Sequence, residues 1–187
     1  ALLGIGGFRG GRMYDGGGAD TVFYMLDQFA GVGDHPELAN VPFIMHGSSN
    51  GGMATYGTVN NRPSRCIAFA SNVGPRFNPP RATDEAIRVP GIFIVGPKDR
   101  FFGRDGVPGV QGIEDMRAMI HDIRGRGGLW SWIPEQDKGH ETRNILDVNM
   151  KFYENAIKAR LPADADPRQG PVALNPIDEE SGWLTNA

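Results

Sequence analysis

Gly47, Ser48, Ser49, Asn50 and Gly51 spell G-x-S-x-G, and further along the chain an aspartate and a histidine each follow an apolar run: Asp99 after GIFIVG and His140 after LWSWI. These are the residue types for nucleophilic acyl transfer. A serine hydroxyl is a poor nucleophile near neutral pH unless a base takes its proton and a third group holds that base in the right tautomer. Ser49 is the candidate nucleophile, with His140 as base and Asp99 as the orienting acid. Ser49 fits better than Ser48, because a serine on a tight strand-to-helix turn needs glycine two positions before and two after it. With Ser48 in that role, His46 and Asn50 would stand where the glycines are needed. The main-chain N–H of Asn50 is then an oxyanion donor, and the helix N-terminus adds a favourable field for developing negative charge.

Other residues of the same types compete for these roles. His46 lies at the end of the strand before the turn, His35 precedes a proline and His121 falls inside a helix, so each reads as structural or surface. Asp105, in the same loop as Asp99, is the alternative acid. Asp137 is too near His140 in sequence to reach it from the other side, and Glu141 reads as solvated.

The elements that must position these groups are readable from apolar patterning. VPFIMHG opens with Pro42, is rich in β-formers and reads as a strand buried on both faces, with MATYGTV opening a helix after the turn. ALLGI (1–5), RCIAFAS (65–71), GIFIVG (91–96) and LWSWI (129–133) read as further strands. Val22, Met25, Leu26 and Phe29 mark a helix over 20–30 by their i, i+3, i+4, i+7 spacing, ended by Gly31 and Gly33. Ile113, Met116, Ile120 and Ile123 mark a second helix, closed by Gly125, Gly127 and Gly128. Ile145, Val148, Phe152 and Ala156 mark a last one over 144–161. Strands alternating with helices predict an α/β fold, a mostly parallel sheet with helices on both faces. Trp130 and Trp132 share one strand face and read as core. The stretch 72–90 is expected to lie over the carboxyl end of the sheet, where open α/β folds bind ligands. The glycine-rich stretch GGFRGGRMYDGGG fits neither the dinucleotide nor the P-loop pattern and reads as a loop near the site mouth. Residues 1–161 form the expected catalytic domain, and 162–187, Pro- and Asp-rich, an extended tail anchored by Trp183.

With 187 residues, 40% hydrophobic and 22% charged, the chain is long enough for one well-filled core. A net charge of −3 with interspersed signs implies no basic face for nucleic acid. The apolar runs are too short to span a bilayer, and no signal-peptide pattern opens the sequence, whose first residue already lies in an apolar run, so that a leader could have been removed or left out. The single Cys66 excludes an internal disulfide and a cysteine metal cluster, and reads as a buried strand residue.

HGSSNGG, GPKDRFFG and DKGHE resemble the nucleophile elbow, acid loop and histidine loop of the α/β-hydrolase superfamily, in that family's order of Ser, Asp, His. The similarity is closest to secreted-type esterases related to dienelactone hydrolase and polyhydroxybutyrate depolymerase, and HPEL leading into VPFIMHGSSNGG adds to it. It spans Ala1 to Leu161. The resemblance implies hydrolysis of a small or polymeric carboxylic ester, without metal or organic cofactor, by Ser49, Asp99 and His140, and a secreted or periplasmic setting. A dienelactone hydrolase proper would carry cysteine at Ser49. The superfamily's strand order is 1-2-4-3-5-6-7-8 with the elbow after the fifth strand, so only ALLGI stands where four strands are expected. Either the chain belongs to a longer protein, or ALLGI takes the third strand's place and Gly6 or Gly7 supplies the second oxyanion donor. In the first case a partner chain is one possible cover for the open sheet edge. Arg76, Arg81 and Arg100 are candidates to attract an acidic acyl group. A peptidase or thioesterase using the same triad and a non-catalytic binding module are the alternative functions; oligomeric state and localisation stay open.

Overall fold

In the computed structural model, which describes residues 17–74, 79–99, 110–141 and 145–178, four of the apolar runs form one all-parallel sheet. Its order is β1 (Phe43–Ser48), β2 (Cys66–Asn72), β3 (Gly91–Val95), β4 (Trp130–Pro134). The expected α/β architecture is present, with helices on both faces. Register puts Ser48, Asn72, Ile94 and Ile133 in one row across the carboxyl ends of the strands. The segments leaving β1, β3 and β4 therefore start side by side.

Helices α2 (Asn50–Asn61) and α4 (Val110–Gly125) cover one face. Tyr56 and Val59 of α2 and Met116 and Ile123 of α4 pack there with Phe69, Phe93 and Trp130 from the strands. Trp130 meets Tyr56 and Phe69 edge-on at centroid distances of 5.7 and 5.2 Å, and its indole N–H donates to Val89 O at 3.0 Å. Trp132 is partly buried and packs against the same cluster, so Trp130 is a core residue and Trp132 borders the core. Helix α5 (Ile145–Arg160) covers the other face, where Tyr153 and Ala156 pack on Ile67, Ala68 and Ala70. Every residue of β2 and β3 is buried, as central parallel strands require. Cys66 lies at zero exposure, and burial pushes its thiol up to about 12.

Four expectations need correction. First, β1 is not buried on both faces: it is an edge strand among the described residues, with His46 and Ser48 exposed. Second, α1 (Gly17–Val32) exists but turns a different side to the core. Phe23 is its buried apolar residue, packed on Phe43 with ring centroids 5.3 Å apart, whereas Met25 and Phe29 are exposed. Third, the buried stripe of α5 is Asn149, Tyr153, Ala156 and Arg160, with Val148 exposed. Fourth, residues 79–90 run down the helical face rather than over the sheet's carboxyl end. Tyr56 Oη donates to Pro80 O at 2.5 Å, Thr83 N–H to Asn60 Oδ1 at 3.0 Å, and a short helix α3 (Asp84–Ile87) closes the return, capped by the Thr83 hydroxyl. ALLGI, GGFRGGRMYDG, residues 75–78 and Trp183 lie outside the described residues.

After α5 the chain carries no helix or strand through residue 178, yet it is tied down. Asn175 N–H donates to Arg160 O at 2.8 Å, Asn40 Nδ2 donates to Pro167 O at 3.1 Å, and Leu174 packs against the α5 side of the sheet. Arg160 is the anchor. Its guanidinium donates to Cys66 O at 2.7 Å, Ile67 O at 3.0 Å and Asn175 O at 3.2 Å. Each carbonyl stripped of a buried donor costs about 1–3 kcal/mol. Arg160→Leu is therefore expected to lower unfolding free energy by about 2–4 kcal/mol, read from urea denaturation. A loss below about 0.5 kcal/mol, the usual effect of a surface change, would contradict this account.

Candidate active site

The chain turns sharply where β1 ends. Ser49 adopts φ 57° and ψ −117°, a region that non-glycine residues rarely occupy. The turn is fixed from both sides: Ser49 N–H donates to Asn72 O on β2 at 2.9 Å, and Met53 N–H in α2 donates to Ser49 O at 3.2 Å. A Cβ at Gly47 would lie 2.0 Å from Gly51 O and 2.6 Å from Thr55 Oγ1, so no side chain fits there. A Cβ at Gly52 would come within 2.8 Å of Ser71 Oγ and 3.1 Å of Asn72 O. At Gly51 a Cβ would meet open space among the described residues. The sterically demanded glycines are thus Gly47 and Gly52, and Gly51 matters through its carbonyl, which excludes a side chain at Gly47.

The loops after β3 and β4 are drawn together at a second close approach. A Cβ at Gly96 would sit 2.4 Å from both Lys138 O and Gly139 O. Lys98 N–H donates to Lys138 O at 2.8 Å, and Asp99 N–H donates back to Gly96 O at 3.0 Å. This contact places Asp99 beside His140. The structure brings Ser49, Asp99 and His140 into one hydrogen-bonded row, although they come from three separate segments. His140 Nδ1 lies 2.7 Å from Asp99 Oδ2, and His140 Nε2 lies 2.9 Å from Ser49 Oγ. A carboxylate only accepts, so Nδ1 carries the proton and Nε2 is left to accept from the serine hydroxyl. The Asp99 side chain is fully buried while that of His140 is 27% exposed. The imidazole is reachable and the carboxylate behind it is shielded. Asn50 opens α2 directly after Ser49.

The competing residues stand elsewhere. His35 Nδ1 pairs with Glu37 Oε1 at 3.0 Å, His121 is an exposed residue of α4, and Asp137 pairs with Lys98 at 3.0 Å. Arg81 pairs with Asp122 of α4 at 3.3 Å. Glu141 is exposed. Asp105, Arg76, Arg100, Gly6 and Gly7 lie outside the described residues. Among the described residues no group of three or more His, Cys, Asp or Glu side chains is arranged to hold a metal ion. No described helix is long and apolar enough to cross a membrane.

No protein-family model matches the sequence, nor does any curated protein. Solved structures do match. A point variant of SOBER1 from Arabidopsis thaliana is similar over 75% of this chain and 63% of its own, with 20% identity and a TM-score of 0.53. That likeness shows the fold. It is the α/β arrangement expected from the sequence, a parallel sheet with helices on both faces. Unsubstituted SOBER1 matches with 22% identity and a TM-score of 0.49, over 75% of this chain and 61% of its own. A structure described as esterase PE8 matches with 24% identity and a TM-score of 0.47, over 74% of this chain and 62% of its own. The chain thus spans about three fifths of the length of these solved chains.

Sequence reasoning missed the surroundings of His46. Its Nδ1 lies 2.9 Å from Tyr153 Oη and its Nε2 lies 3.3 Å from Asn72 Nδ2. Only the position of His46 beside the G-x-S-x-G turn hinted at this, and its partners come from β2 and α5. Partial burial of the ring holds its pKa below the ordinary 6.5. The unfolded chain therefore takes up this proton before the folded one does as pH falls, so the folded state loses stability from pH 6.5 downward. We expect the urea midpoint to drop from pH 7 to pH 5 and His46→Gln to remove part of that slope. Identical slopes for the two proteins would contradict the assignment.

Proposed function

We propose that the chain catalyses serine-dependent hydrolysis of a carboxylic ester through an acyl-enzyme intermediate. The observation that carries this reading is the unbroken row from Ser49 Oγ through the His140 ring to Asp99, with distances of 2.9 and 2.7 Å. Ser49 is the nucleophile on its elbow. As its Oγ attacks the acyl carbon, His140 Nε2 takes the hydroxyl proton, and the buried Asp99 stabilises the imidazolium that forms. The carbonyl oxygen becomes an oxyanion facing the N-terminus of α2, where the Asn50 N–H donates to it. His140 then passes its proton to the departing alkoxide, which leaves as the alcohol. Water attacks the acyl-enzyme through the same base, releasing the acid and restoring Ser49.

The row needs no metal or organic group for these steps. The reading assigns catalysis to residues 1–161 and leaves 162–187 as a tail. The fold supports it as well, since a serine on the turn between a sheet strand and the next helix is where α/β-hydrolases carry their nucleophile. The test is incubation with a fluorophosphonate followed by intact mass and peptide mapping. One adduct per chain on Ser49 is expected. A folded sample that forms none would refute the reading and favour a non-catalytic binding module.

A further inference from the structure

Ser49 is not the only strained residue at this sheet edge. Val73, just past β2, has φ 48°, a conformation that a β-branched residue adopts only when its surroundings hold it there. The two are linked through Asn72. Ser49 N–H donates to Asn72 O at 2.9 Å, and Val73 N–H donates to Ile94 O at 2.7 Å. Asn72 is fully buried. Its Nδ2 donates to His46 Nε2 at 3.3 Å, and the His46 ring is tied at Nδ1 to Tyr153 Oη at 2.9 Å. Asn72 Oδ1 is buried with no hydrogen-bond partner among the described residues, so the bond to His46 is what orients the amide. Since Nε2 accepts from that amide, Nδ1 carries the proton and donates to Tyr153. A continuous path therefore runs from α5 through β1 and β2 to the amide of Ser49.

We propose that His46 and Asn72 are positioning residues for Ser49, a brace anchored on Tyr153 that keeps the serine in its strained turn. This rests on the reading of Ser49 as nucleophile. The brace differs from ordinary core packing because His46 stands on β1, an edge strand among the described residues, and is held through polar contacts to Tyr153 and Asn72. Its loss acts on the turn it holds and leaves the distant sheet intact. With the neutral ring in place, Ser49 Oγ stays in line with His140. Without it, Asn72 can shift and the turn relaxes toward conformations that misalign Oγ.

The experiment compares wild type and His46→Ala by NMR amide exchange on the full chain, with p-nitrophenyl acetate kinetics on the same samples. In His46→Ala the Ser49 amide is expected to exchange about tenfold faster and the Phe93 amide within about twofold of wild type. The kcat is expected to fall about tenfold with KM within about twofold. Tyr153→Phe is expected to move both readouts in the same direction by about threefold, and it decides the matter should His46→Ala fail to fold. Unchanged Ser49 exchange in a folded variant, or equal acceleration at Ser49 and Phe93, would overturn the brace. If wild type hydrolyses no ester, the hydrolase reading fails, while Ser49 exchange still judges the brace on its own terms.

Discussion

Ser49→Ala is expected to abolish fluorophosphonate labelling and to cut ester hydrolysis by roughly 10⁴ to 10⁶-fold, with the fold unchanged. The size follows from the chemistry. In the proposed mechanism, removing Oγ leaves His140 with no proton to accept and the acyl carbon with no protein nucleophile, so only the oxyanion donor and simple binding remain. Stability is expected to stay within about 0.5 kcal/mol. Alanine is smaller, Ser49 is only partly buried, and the turn is fixed by main-chain bonds to Asn72 and Met53. The check is labelling, kcat/KM and urea midpoint measured on one preparation. Persistent labelling in the variant would move the nucleophile elsewhere, with Ser48 the first residue to test.

The parts of this molecule that patterning reveals are those governed by local rules. The strands that flank the site are continuous apolar runs, and the turn at Ser49 is marked by Gly47, whose missing side chain the structure explains by a 2.0 Å approach to Gly51 O. That Asp99 and His140 would meet was readable because parallel strands deliver the segments after them to one edge. What periodicity missed was the buried face of α1, built on Phe23, and half of that of α5, where Ala156 and Phe152 lie on the expected stripe but Val148 is exposed. The reason is specific in α5. Asn149 and Arg160 hold buried positions, and Arg160 does so by donating to main-chain carbonyls of β2, a role that hydrophobicity cannot signal. The brace on His46 was hidden for a related reason. Its partners lie on β2 and α5, and a histidine next to a glycine-rich turn looks the same in sequence whether or not it is held.

Asp99→Asn carries the second largest expected effect, a fall in kcat of roughly 10⁴-fold with KM little changed. The mechanism is tautomeric rather than steric. The Asp99 carboxylate accepts from His140 Nδ1 across 2.7 Å, which leaves Nε2 lacking a proton and able to accept one from Ser49. An asparagine of the same shape can turn its NH₂ toward Nδ1 instead. The ring proton then moves to Nε2, where it faces Ser49 Oγ and blocks proton transfer. Even with the amide oxygen toward Nδ1, the negative charge that stabilises the imidazolium is gone. Because the position is fully buried, replacing a charged group by a neutral one of equal volume is not expected to reduce stability, so the kinetic loss is separable from unfolding. The same change at Asp105, the alternative acid, is expected to leave kcat within about twofold. If Asp105→Asn gave the large loss and Asp99→Asn did not, the orienting acid would be Asp105, and the 2.7 Å contact of Asp99 with His140 would be structural alone.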